Sequence, residues 1–123
     1  MAKLGKGLEP EKRAITKYES DLIRWLLAHG DPGMAEFASQ VDGLRVTAKC
    51  DCGCPTIYFE LEGHFESRTG ERVISDHLAT VDGQEVGVML FELNGRLSSL
   101  EVYSLAGTDK PFPLPEVESL HSY

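Results

Sequence analysis

Three cysteines, Cys50, Cys52 and Cys54, stand within the string Cys-Asp-Cys-Gly-Cys-Pro, and the chain has no others. Thiolates are soft ligands that hold zinc at about 2.3 Å, and a closed tetrahedral site takes four donors. His64 and His77 are the candidates for the fourth. Neither a Cys-x-x-Cys knuckle nor a second cysteine pair occurs. Three thiolates with an open position also suit copper(I). A second chemistry is redox, with Cys50 and Cys52, or Cys52 and Cys54, as a reversible pair. Residues two apart on an extended strand sit near the upper limit for a disulfide, so a turn has to bring them together. Such a strained bond is easily reduced. Asp51 works against an activated thiolate and Lys49 favours one. The plain alternative is three reduced cysteines serving as small apolar side chains. An odd count without a signal peptide argues against a secreted disulfide framework.

Other groups are weaker. Ser75-Asp76-His77 holds the residue types of a catalytic triad, but on a strand Asp76 points away from the other two, and no Gly-x-Ser-x-Gly elbow exists. Glu60 and Glu62 read as the solvated face of a strand. His29 falls at a helix C-terminus, where it meets the dipole. Trp25, at helical spacing, reads as core. The glycines never fall at phosphate-loop, dinucleotide or calcium-loop spacings.

The elements that must position the cysteines follow from periodicity. Residues 1–9 read as a flexible arm and 10–123 as a single domain. Pro10 suits a first helical turn. Ile15, Tyr18, Leu22, Trp25, Leu26 and His29 recur at helical spacing and Gly30 ends the run. Asp31 and Pro32 then cap and start a second helix, with Met34, Phe37, Ala38 and Val41 on its apolar face. After Gly43 the period becomes two, with Leu44, Val46, Ala48 and Cys50 on one face. Continued along a strand, that spacing puts all three thiols on the core side, whereas a turn at Gly53-Pro55 folds the later two back toward the first. Ile57, Phe59 and Leu61 alternate in the return strand.

Residues 71–81 are β-like but alternate poorly. Asp82-Gly83 marks a turn. Residues 86–93 are apolar on both faces, as in a central strand. Asn94-Gly95 signals a hairpin, and the phase slip between Leu97 and Leu100 fits a bulge. The tail Lys110-Pro111-Phe112-Pro113-Leu114-Pro115 is extended, with Phe112 and Leu114 against the body. The pattern predicts an α+β fold, two N-terminal helices packed on an antiparallel meander of about five strands.

Composition sets the remaining bounds. The 123 residues carry a net charge of −8. Residues 1–17 hold five of the twelve lysines and arginines, so the acidity lies in the rest of the chain. An acidic body repels phosphate backbones, which argues against nucleic acid. No apolar run approaches the roughly 18 residues of a membrane span. The start MAKLGKGLEP lacks the apolar core of a secretory signal, so a cytoplasmic protein is expected.

Leu22 to Gly30, Lys49 to Ile57, and Gly95 to Leu105 with the proline-rich tail together resemble a family of small bacterial proteins. The resemblance implies a bacterial cytosolic protein and brings no activity with it. The sequence therefore points to a non-enzymatic module that binds a protein or small-molecule partner on its sheet face, with a structural cysteine turn and zinc as its candidate metal. The alternative is a thiol-dependent redox enzyme or sensor.

Overall fold

In the computed structural model, residues 8–60, 70–107 and 111–122 are described. They form β1 (Leu8–Ala14), α1 (Lys17–Ala28), a 3₁₀ helix (Met34–Gly43), β2 (Arg45–Cys50), β3 (Ile57–Phe59), β4 (Arg72–Val81), β5 (Gln84–Leu93), β6 (Arg96–Ser104) and a 3₁₀ turn (Val117–Ser119). The strands make one antiparallel sheet in the order β1-β2-β3-β6-β5-β4.

This corrects the expected fold in two respects. The sheet has six strands, and what precedes β2 is a strand, one α-helix and a 3₁₀ helix rather than two packed helices. Residues 8–14 were expected to pass from an arm into a helix at Pro10. They form an edge strand instead, running antiparallel to β2 from Leu8↔Cys50 to Ala14↔Arg45. Proline is tolerated at a sheet edge, where its missing N–H takes nothing from a ladder. Charge holds this polar strand. The Arg13 guanidinium forks onto both carboxylate oxygens of Glu19 at 2.8 Å and reaches Glu11 at 2.9 Å. Lys49 of β2 meets Glu11 from the neighbouring strand at 3.3 Å.

Helix α1 begins at Thr16 with a capping box. The Glu19 N–H donates to Thr16 Oγ1 at 3.1 Å, and the Thr16 N–H donates to Glu19 Oε1 at 2.9 Å. Reciprocal caps of this kind satisfy two donors that the helix leaves open. Its buried face is Glu19, Leu22, Ile23, Leu26 and Leu27. Tyr18, expected on that face, is 78% exposed. Gly30 serves close approach rather than a left-handed cap. A Cβ there would stand 2.5 Å from the Ile74 carbonyl oxygen, which accepts the Asp31 N–H. The second expected helix tightens to 3₁₀ from Gly33, which adopts φ +87°; Phe37 and Val41 bury against the core as the pattern required.

The meander β4-β5-β6 turns on Asp82-Gly83 and Asn94-Gly95, all four residues at positive φ. That is the geometry of two-residue hairpin loops. Residues 71–81, doubtful in sequence, hold β4, and a register shift between Val73 and Ser75 accounts for the broken alternation. The slip between Leu97 and Leu100 is a bulge. Phe91 faces Ser99 and Glu92 faces Leu97, leaving Ser98 as the extra residue. Glu71 accepts hydrogen bonds from both Ser98 and Ser99 there. The core runs through Leu22, Ile23, Leu26, Val46, Phe59, Val88, Leu90, Leu100 and Val102, and the tail adds Phe112 and Leu114 against it, as expected. His121 then exchanges backbone hydrogen bonds with Leu78 of β4 at 2.9 and 2.8 Å.

Candidate metal centre

The cysteine turn lies between β2 and β3. Cys50 is the last residue of β2, and its N–H donates to the Thr56 carbonyl at 3.3 Å, closing the loop. Gly53 reverses the chain at φ +93°. Its missing side chain has a second use, because a Cβ there would sit 2.7 Å from the ring of Pro111. The proline-rich tail thus lies directly on the turn.

Folded this way, the three thiols leave the continuous strand that would have carried them into the core. Cys50 Sγ stands 2.6 Å from Cys52 Sγ, and Cys52 Sγ stands 2.9 Å from Cys54 Sγ. All three sulfurs lie within 4.8 Å of one another. Cys52 is exposed, Cys50 and Cys54 are half-buried, and all three are free. Backbone N–H groups point at two of the sulfurs: that of Cys52 at Cys50 Sγ (3.4 Å) and that of Cys54 at Cys52 Sγ (3.3 Å).

The electrostatics of the trio are uneven. Burial, together with the neighbouring Cys52 sulfur, pushes the Cys50 thiol up to about 12. Burial also acts to raise Cys52, but donors from Cys50 and Cys54 and the Cys54 N–H outweigh it and hold its thiol below the ordinary cysteine value. The thiolate is therefore stabilised by neighbouring S–H and N–H groups, a source that the sequence, with Asp51 alongside, did not suggest.

The sulfurs open onto a cleft of about 350 Å³ lined also by Thr56, Tyr58, Glu101, Tyr103 and Phe112. Tyr58 comes from β3, Glu101 and Tyr103 from β6, and Phe112 from the tail. Tyr103 lies over Gly87 of β5, whose missing Cβ leaves room for the ring. Burial, and then the charge of Glu71, raise the Glu101 carboxyl above its ordinary value. No local pattern marked these walls. Only Phe112, as an apolar residue in a proline-rich tail, carried a sequence signal.

The histidines proposed as fourth ligands stand differently. His64 and Glu62 lie outside the described residues. His77 is on β4, which β5 and β6 separate from β3. Its ring is buried edge-on against Trp25 at 4.9 Å, with Ser75 Oγ 3.3 Å from Nδ1. His29 stacks on the same indole at 3.9 Å. Burial, and then His29, hold the His77 imidazole below its usual value. Among the described residues the group of potential metal ligands consists of the three cysteines. Glu60 is exposed but lies one residue past the end of β3, so it is not the strand residue that was expected.

In a tetrahedral thiolate site two sulfurs at about 2.3 Å from zinc stand roughly 3.8 Å apart. The two short separations would open by about 1 Å to admit an ion, a side-chain rotation within reach of the exposed Cys52. The donor set therefore fits a soft metal bound through three thiolates, with a fourth donor to come from elsewhere. No known protein family, curated protein or solved structure matches the chain. No helix among the described residues is long and apolar enough to cross a membrane.

Proposed function

We propose that the protein is a non-enzymatic binding module whose cysteine turn holds one zinc ion and whose adjoining cleft receives a ligand. The observation that carries this reading is the gathering of Cys50, Cys52 and Cys54 within 4.8 Å on a turn that opens into that cleft. Zinc would tie the end of β2 to the turn beneath Pro111 and leave its fourth position for a donor from solvent, a ligand or a partner. The reading takes a reducing compartment, the cytoplasm, where thiols stay available to metal. The net charge of −8 suits a basic partner over an anionic one.

The test is elemental mass spectrometry of untagged protein beside a count of free thiols. About one zinc per chain with protected thiols is expected, and adding zinc to stripped protein should raise the thermal midpoint by mass action. Cys52→Ser should lose the metal while keeping the fold. Copper(I) retained in preference to zinc would correct the metal. Three free thiols and no shift in midpoint with either ion would overturn the reading.

A further inference from the structure

The same turn supports a reaction that metal binding leaves unused. Cys52 is the exposed cysteine of the three, and its sulfur lies between the other two at 2.6 and 2.9 Å. A disulfide needs about 2.05 Å, so either bond forms by closing less than about 1 Å. The reversal at Gly53 supplies the turn that a Cys52–Cys54 bridge requires. The cleft beside Cys52 has aromatic walls from Tyr58, Tyr103 and Phe112 and, at about 350 Å³, the size of a small-molecule site.

We propose that the metal-free turn is a thiol–disulfide exchange site for low-molecular-weight disulfides, with Cys52 as the attacking sulfur and Cys50 and Cys54 as alternative resolving sulfurs. Cys52 gives its proton to solvent and attacks one sulfur of the substrate R–S–S–R. A Cys52–S–S–R bond forms, the substrate S–S bond breaks, and the first thiolate leaves and takes a proton from water. Cys50 or Cys54 then loses its proton and attacks Cys52 Sγ. The mixed S–S bond breaks, the second RS thiolate leaves and takes a proton from water, and the chain keeps a Cys50–Cys52 or Cys52–Cys54 bridge. The substrate disulfide gains two electrons and two protons, and the chain loses the same. Two equivalents of a small monothiol reverse the change. The third cysteine stays reduced and moves the bridge from one pair to the other. Strain in so small a ring makes the bridge a transferable one rather than a structural one.

The experiment uses the full, reduced, chelator-treated chain and an aromatic disulfide that absorbs on release, followed by stopped flow and intact mass. Wild type should release two equivalents of aromatic thiol in a burst and end two hydrogens lighter, with no aromatic group attached. Cys52→Ser should lose the burst, with release slowed by about tenfold or more. Cys50→Ser and Cys54→Ser should each keep the two-equivalent burst, because the other cysteine resolves. The double variant Cys50→Ser/Cys54→Ser should stop at one equivalent and retain the aromatic group. Thermal unfolding of each variant confirms that it is folded. Wild type that keeps an adduct on each cysteine, or a Cys52→Ser variant as fast as wild type, would overturn the proposal. Oxidised glutathione reacting no faster than with free cysteine would remove the cleft from it. Zinc content is read separately, so a chain that loads zinc but retains adducts sinks the exchange and leaves the metal reading standing.

Discussion

Thr56→Val exchanges one hydroxyl for a methyl at the point where the two halves of the sheet meet. Strands β3 and β6 pair through Ile57↔Leu100 and Tyr58↔Ser99. Continued in register, Pro55 would face Val102, but proline has no N–H to offer. Thr56 takes over with its side chain. Its Oγ1 donates to the Val102 carbonyl at 3.0 Å and accepts the Val102 N–H at 2.9 Å. Val102 is fully buried and Thr56 is 6% exposed, so no water replaces the hydroxyl. A stranded buried group costs about 1–3 kcal/mol, and two are stranded, giving roughly 2–6 kcal/mol. About 3 kcal/mol in a chain of this size corresponds to a fall of roughly 10 °C in Tm. Urea unfolding should show a lower midpoint with an unchanged slope. Thr56→Ser keeps both hydrogen bonds and loses one methyl, about 1 kcal/mol. A Thr56→Val variant no less stable than Thr56→Ser would refute the account.

Three further outcomes are expected. Burial acts to raise the Glu19 carboxyl, but Arg13 and the Thr16 N–H outweigh it and hold the group below its ordinary 4.5. That stabilisation is present above about pH 4.5 and fades as pH falls through the folded-state value, so Glu19→Gln should flatten the acid limb of a stability–pH curve; parallel limbs would refute it. Gly30→Ala should destabilise more than Gly87→Ala, because the first drives a Cβ into the Ile74 backbone and the second meets only the end of the Tyr103 ring, and chemical denaturation of the pair gives the order. Leu26→Ala, at a fully buried position, should cost about 2–5 kcal/mol by the same method, and a loss near zero would mean that α1 contributes nothing to the core.

The parts of the fold that sequence disclosed are those governed by local rules. Asp82-Gly83 and Asn94-Gly95 demanded positive φ and both turned hairpins; the slipped phase after Leu97 became a bulge at Ser98. Residues 8–14 resisted because nothing in Leu-Glu-Pro-Glu-Lys-Arg-Ala alternates. Their strand depends on pairing with β2 and on Arg13 meeting Glu11 and Glu19, contacts that no local window contains. The capping box Thr16-x-x-Glu19 was readable, and it would have started the helix at its true place. At the candidate site, spacing told of three neighbouring thiols. Their departure from the core face depended on the turn at Gly53, and their cleft on β6 and the tail.

The short β3–β6 pairing also bears on how the molecule comes apart. On one side lies β4-β5-β6, closed by two-residue turns; on the other lies β1-β2-β3, whose β1 and β2 are joined by way of α1 and the 3₁₀ helix. Within the sheet, two registered pairs and the Thr56 hydroxyl join them, while α1 and the 3₁₀ helix pack across both halves on one core. Strand pairing this short, a seam between a local meander and a less local half, is expected to open at lower free energy than the hairpins, and native-state hydrogen exchange reads the difference. The cysteine turn sits beside this seam, so an ion held there would act as a clasp between the end of β2 and the start of β3, slowing the exchange of their amide hydrogens with water.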